Sequence, residues 1–402
     1  MSATSFANTA LGGIRILDLT SVVFGPYASQ ILADYGADVI KVESPAGDTS
    51  RNTGPSIEPG LSAVFLGSNR NKRSIVLDLK QEADRNALLT LVDQADIFMH
   101  SIRPQKLERL GLGPKALCAR NPRLIYAGLH GFGNGGPYEG KPAYDDTIQG
   151  LSGVVDAIRR QTGTPRYMPT IAADKTCGLT AAHAIMAALF QRERTGQGQF
   201  VEIPMFESMA SFMLVEHFYG KHIPSIQGTT GYTRTLTPWR KPYQTADGYI
   251  CIMPHTDGHW QSFFSGMGDK SLVSDPRFTS LSARISHINE LYEIVASAML
   301  ERTTQEWLEF FTLHEIPATH INALEDLEQD EHLCDVGFFV NVQDSQNNTY
   351  RFTRSPVILE KSTVAVSMPP RLGEHTEEVL QEAGLSPAEI EQILQHGTSK
   401  TN

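Results

Sequence analysis

The chain is short of the features that announce metal, redox or nucleic-acid chemistry. Four cysteines, Cys118, Cys177, Cys251 and Cys334, are scattered through 402 residues with no CxxC spacing. They predict neither a zinc cluster nor a disulfide framework, and they read as buried free thiols in a reducing compartment. Basic charge is also in deficit: 34 Lys and Arg against 45 Asp and Glu give a formal charge of −11, with no long basic block. That balance argues against a nucleic acid or an anionic membrane as partner, so an anionic ligand is expected to be held by locally placed donors. The longest apolar stretch, AAHAIMAALF (181–190), carries a histidine and is too short to cross a bilayer. The opening MSATSFANTALGG lacks a basic start followed by an apolar run, so no leader peptide is predicted and a cytoplasmic protein is expected. The thirteen histidines suggest no metal site, and His130, His217 and His375 read as structural or surface residues. No G-x-S-x-G elbow is present, which removes the usual serine-hydrolase reading.

What is present is the composition of an ordinary globular protein, 41% apolar and 20% charged, in a chain long enough for two domains. Strand-type runs alternate with helical patterns from the start. IRILDL (14–19), a helix opened by Pro26 and closed by Gly36, and ADVIKVE (37–43) together have the length of a βαβ unit. RSIVLDL (73–79), helix 82–95, DIFMHS (96–101), helix 104–111 and RLIYAGLHG (123–131) continue the alternation, and QFVEIP (199–204) supplies a further strand. An α/β fold with a parallel sheet covered by helices is predicted. From about 225 to 325 the texture changes to a long loop, one strand and several helices, predicting a smaller α+β domain. The flanking segments 1–224 and 326–402 then make the larger one.

Two short stretches invite a functional reading. GFGNGGPY places Gly131, Gly133 and Gly136 in a G-x-G-x-x-G pattern after a strand. Pro137, Gly140 and Pro142 forbid the helix that a dinucleotide fingerprint needs, so an irregular loop near a ligand, or an ordinary connection, is expected instead. IAADKTCG (171–178) sets Asp174 before the apolar run of a helix whose apolar positions go almost all the way round. Asp is a favoured N-cap. It can also attack an acyl carbon, and the two roles are compatible, because the helix dipole would hold the carboxylate ionised.

The run GGIRILDLTSVVFGPYASQILADYGADVIKVESPAGDTSR (12–51) strongly resembles the opening of the type III CoA-transferases, the family of formyl-CoA transferase and carnitine CoA-transferase. NKRSIVLDLK (71–80), RPQKLERLGL (103–112), GFGNGGPYEGKPAYD (131–145), RTGQGQFVEIPMFES (194–208) and PPRLGEHTEEVLQEAGL (369–385) resemble the same family in the same order. The resemblance implies a Rossmann-like large domain whose parallel sheet is formed by both chain ends, a smaller domain inserted between, and an interlocked homodimer. It implies transfer of CoA from an acyl-CoA to a free carboxylic acid through aspartyl anhydride and aspartyl-CoA thioester intermediates, with Asp174 as nucleophile. Acyl-CoA and the acid are then the partners, and no cofactor is tightly bound.

By position in the family, the CoA groove includes Leu77 through Lys80, His100, Ser101, Ile102, Arg109, Tyr144 and Asp145. Val23 and Phe24 stand where formyl-CoA transferase has Gln and Ala, which points to a different acyl pocket. Its tetraglycine loop is also absent, GTTGYTRTLTPWR (228–240) occupying that region. Arg51, Arg234 and Arg240 are candidates for binding a second carboxylate. Two alternatives stay open at this point. One is an α-methylacyl-CoA racemase-like enzyme, disfavoured because Tyr144 stands where that family has its histidine base. The other is a CoA-binding protein without turnover.

Overall fold

The computed structural model describes residues 8–398. Most of the N-terminal stretch read for a leader, and the last four residues, lie outside that range. Among the described residues no helix is long and apolar enough to cross a membrane.

The chain divides into two compact units. Among the described residues, the first holds 8–152, 169–211 and 334–398. Its centre is a sheet of six parallel strands: β1 (Arg15–Leu19), β2 (Asp38–Glu43), β3 (Lys72–Val76), β4 (Ile97–His100), β5 (Ile125–His130) and β6 (Gln199–Pro204). Their order is β3-β2-β1-β4-β5-β6. Both faces of the sheet are covered, as parallel sheets require, and the strands bury charged residues such as Asp18, Lys41 and Lys72 among the apolar ones. Leu17, Ile40, Ile75 and Phe98 are fully buried.

The order reverses direction between β1 and β4, where Leu19 pairs with His100. Loops leaving the carboxyl ends of these two strands diverge to opposite sides, and the crevice between them is where α/β sheets bind ligands. Helix α1 (Phe24–Asp34) starts two residues before Pro26, which therefore lies inside the first turn, where its missing N–H costs nothing. It ends with Gly36 at φ 97°, a conformation that favours glycine.

One expectation is corrected. The parallel sheet is built from residues 15–204 alone, and the C-terminal end adds no strand to it. That segment contributes an antiparallel hairpin, Phe339–Gln343 with Thr349–Thr353, and two helices. Val379, Leu380, Ile390 and Ile393 of those helices pack into the same apolar cluster as Leu88 and Leu91, so the C-terminus covers a sheet that it does not extend.

The second unit comprises residues 153–168 and 212–333, a segmentation that includes a stretch well before residue 225. A three-stranded antiparallel sheet (Tyr243–Gln244, Tyr249–Ile252, Ala318–His320) lies with helices 257–266, 288–299 and 304–313. Trp260, Phe263, Trp307 and Phe311 fill its core.

Two glycines separate tight packing from mere flexibility. A Cβ at Gly25, in the first turn of α1, would lie 2.2 Å from the Thr20 Cβ, whereas one at Gly150 would meet nothing within 4 Å. Gly25→Ala is therefore expected to lower unfolding stability by at least about 2 kcal/mol through overpacking. Gly150→Ala should leave it unchanged or raise it by about 0.5–1 kcal/mol, as alanine does in a helix. Paired denaturant titrations check both.

Candidate active site

A cavity of about 270 Å³ lies at the crevice, lined among others by Ser21, Val22 and Phe24 after β1, Ser101 after β4, and Asp174. Asp174 does not cap its helix. The helix runs Ala172–Thr195 with Ile171 at the N-cap, so Asp174 is its third residue. Capping falls instead to a carboxylate distant in sequence. Asp145, at the start of the Asp145–Leu151 helix, accepts the Asp174 backbone N–H at 3.0 Å. Its other oxygen accepts the Gln149 side-chain amide at 2.5 Å.

The consequence reverses the expected electrostatics. The Asp174 carboxyl is 8% exposed, and its pKa is pushed up to about 7, first by burial and then by the charge of Asp145. The dipole of the 172–195 helix favours an anion here, yet it is outweighed by lost hydration and a like charge. Asp174 is thus a carboxylate whose ionised form is held at high energy rather than stabilised. Cys177, one turn on, is held as a thiol: burial, then Asp174 and Asp145, push its pKa up to about 12. Nor does the helix bury its whole circumference; Leu179 and Phe190 are 53% and 66% exposed.

Several sequence candidates meet at this cavity. Phe24, Ser101, Tyr144 and Asp174 line it; Asp145 touches Asp174 from behind, and Val23 is buried beside Phe24. Leu77, Lys80, Ile102 and Arg109 do not line it: Leu77 is buried in the core beneath β3, and Lys80 and Arg109 are exposed. His100 is buried, its Nδ1 3.0 Å from the Ile102 carbonyl. Burial and the neighbouring His130 push its pKa down to about 3, so it carries no charge toward a phosphate. His130 itself lines the cavity.

Arg51 requires a correction. Its guanidinium is 3% exposed, paired with Glu43 at 2.6 and 2.8 Å, and bonded to the carbonyls of Gly60 and Pro370. Four of its five N–H groups are spent inside the fold, so it offers no fork to a substrate carboxylate. Arg234, in the second unit, donates to the Tyr292 hydroxyl at 3.1 Å. Arg240 lines a small cavity of that unit, about 50 Å³, with Tyr243 and Tyr292.

The glycine loop is committed elsewhere too. The N–H groups of Gly133, Asn134 and Gly135 donate to Glu207, Glu202 and Glu139 at 3.1, 2.8 and 2.9 Å. Three consecutive amides that already hold the protein's own carboxylates cannot cradle a pyrophosphate. The cations that do reach the cavity are Arg103 and Lys141. Both stood within family-like segments but had no signal of their own, since exposed cations are common. His255 and His259 also stand four residues apart, but His259 Nδ1 accepts the His255 backbone N–H, and no group of three metal-capable side chains occurs among the described residues.

A family model described as CoA-transferase family III matches residues 11–376. The chain belongs to CoA-transferase family III. This family III CoA-transferase is 32% identical to the succinyl-CoA:mesaconate CoA-transferase of Haloarcula hispanica, over 94% of this chain and 97% of the relative. It is 31% identical to the succinate–glutarate CoA-transferase of Agrobacterium fabrum, over 92% and 95%. The crystal structure of Rv3272 from Mycobacterium tuberculosis superposes with a TM-score of 0.78 at 30% identity, covering 91% of this CoA-transferase and 98% of that chain.

Burying the Asp174 charge has a cost that depends on pH. A folded-state pKa raised from 3.8 to about 7 leaves stability unaffected below pH 4, where both states are protonated. Stability is then lost as pH rises toward 7, with the full loss above it. Asp174→Asn should therefore exceed wild type in unfolding free energy by about 2–4 kcal/mol at pH 8, the gap closing by pH 4. Chemical unfolding at the two pH values measures it.

Proposed function

We propose that Asp174 is the nucleophile of a CoA transfer that runs through acyl-aspartate states. The observation that carries this reading is a buried carboxyl with a pKa near 7, facing a cavity at the sheet's switch point and coupled to Asp145. An Asp174 oxygen forms a bond to the donor thioester carbon, and the C–S bond breaks with its electron pair leaving on CoA thiolate. The negative charge so passes from a poorly solvated carboxylate to the leaving sulfur. The thiolate attacks the aspartyl carbonyl, expelling the donor acid as carboxylate and leaving an aspartyl-CoA thioester. The acceptor carboxylate then attacks this thioester, and the released thiolate takes the acceptor acyl group from the second anhydride, regenerating Asp174. No step needs ATP, metal or net proton transfer. Exclusion of water protects the anhydrides, and the buried Ala172 and Ala173 beside Asp174 suit that demand.

Arg103 and Lys141, at the cavity, and Lys80 and Arg109, beyond it, are the candidate donors for CoA phosphates; His100, Ser101, Ile102 and Tyr144 complete the proposed CoA groove, whereas the Leu77 side chain, enclosed in the core, leaves only its backbone for that role. The relatives named for succinyl, mesaconate and glutarate substrates favour a dicarboxylic acyl group here, with Arg234 and Arg240 as the arginines left to meet a second carboxylate. Val23 and Phe24 would shape its apolar part. The exposed Leu179 and Phe190 support a homodimer, of the interlocked form that the family resemblance suggests.

Incubation with succinyl-CoA followed by borohydride or hydroxylamine should modify the 171–178 peptide, read by mass spectrometry. Asp174→Ala should reduce transfer to succinate, glutarate or mesaconate acceptors by at least about 10³-fold. An unmodified peptide together with wild-type transfer by Asp174→Ala would refute the mechanism.

A further inference from the structure

The loop between β1 and α1 contains a backbone conformation that its sequence does not want. Val22 has φ 70°, and it is the one β-branched residue with positive φ among the described residues. Such a conformation persists only where the surroundings over-determine it, and it is a pointer to function. The surroundings here are buried charges. Both oxygens of Asp48 accept the Val22 N–H, at 3.1 and 3.2 Å. Asp48 also accepts Lys41 Nζ at 2.8 Å, and both side chains are essentially inaccessible.

Lys41 donates in turn to the Thr20 carbonyl at 2.9 Å, so the ion pair grips the loop on both sides of Ser21. Asp18, itself buried, accepts the Thr20 N–H at 2.9 Å, and Ser101 Oγ accepts the Ser21 N–H at 3.3 Å. Three successive residues thus have their backbone groups fixed by side chains. A desolvated ion pair is weak support for stability. Asp48 also caps the 49–52 turn by accepting the Ser50 N–H and hydroxyl, so one carboxylate ties that turn to the strained one. What the strained turn provides is a wall of the Asp174 cavity, through Ser21, Val22 and Phe24.

We propose that Asp48, backed by Lys41, is a positioning residue of the transfer reaction, clamping Val22 in its left-handed conformation so that the β1–α1 loop holds the reacting acyl group against Asp174. This rests on the reading of Asp174 as nucleophile. Asp48→Glu is the sharp variant: it keeps a carboxylate for Lys41 but lengthens the side chain by one methylene, displacing the acceptor pair from the Val22 N–H. Val22→Gly supplies the partner, because glycine adopts this φ without a clamp.

The experiment measures steady-state transfer from succinyl-CoA, thermal unfolding and folded-enzyme concentration for wild type, both single variants and the double variant. In the Val22 background, Asp48→Glu should lower kcat by about 10–100-fold, the cost of a misplaced reacting group, with KM for the acyl-CoA changed by less than about 3-fold. In the Val22→Gly background the same change should cost less than about 3-fold. Wild-type kcat in Asp48→Glu overturns the proposal, as does a loss of equal size in both backgrounds or one explained by loss of folded protein. These ratios are read from product formation, so they stand or fall separately from whether label reaches the 171–178 peptide.

Discussion

The site depends on one deliberate electrostatic mismatch: two aspartates from distant parts of the chain brought together where water is scarce. Asp145 accepts the Asp174 backbone N–H, which anchors the start of the 172–195 helix to the start of the 145–151 helix. The same contact places a negative charge against a second carboxyl that receives no compensating donor, and the pKa near 7 follows from that placement and from burial. A well-capped, well-solvated aspartate would be a more stable and less reactive group. In the proposed mechanism, the energy stored in this unwelcome charge is released when it leaves on the CoA sulfur.

Around β1 the protein does the reverse with its carboxylates. Lys41 with Asp48, and Lys72 with Asp18, are buried and paired at 2.8 and 3.3 Å. Burial alone would raise the Asp48 pKa, but Lys41 and several hydrogen bonds hold it below the usual value. Carboxylates that have donors, Asp18 and Asp48, thus surround β1, although burial still pushes the Lys72 ammonium down to about 7, and the carboxylate without a donor stands in the cavity. Both arrangements meet at the switch point between β1 and β4, where the strand order itself opens a crevice. In the proposed mechanism, reactivity and rigidity are separated by which carboxylates are given partners.

The sequence revealed the elements more readily than their partnerships. QFVEIP reads as a strand and is one, because apolar β-rich runs bounded by turn residues are a local signal. The alternation of β and α segments likewise implied the parallel sheet. Asp174 stands out locally as a helix cap, but a capping preference is local, whereas the group that caps this helix, Asp145, lies 29 residues away. Arg51 looked available for the same reason, since nothing nearby announces its enclosure by Glu43 and the distant Pro370. Arg103 and Lys141 were hidden in plain sight within motif segments. What local pattern cannot supply is which charged group finds a partner across the fold, and that is what decides the chemistry here.

The central claim is that Asp174 titrates near neutrality because it is buried beside Asp145 without a donor. Infrared difference spectroscopy of the protein labelled with ¹³C-aspartate, titrated with pH against Asp174→Asn as reference, reads the protonation of that carboxyl directly. A carboxylic C=O band should disappear with a midpoint near 7. A midpoint at or below about 4.5, the range of ordinary solvated carboxyls, would contradict it.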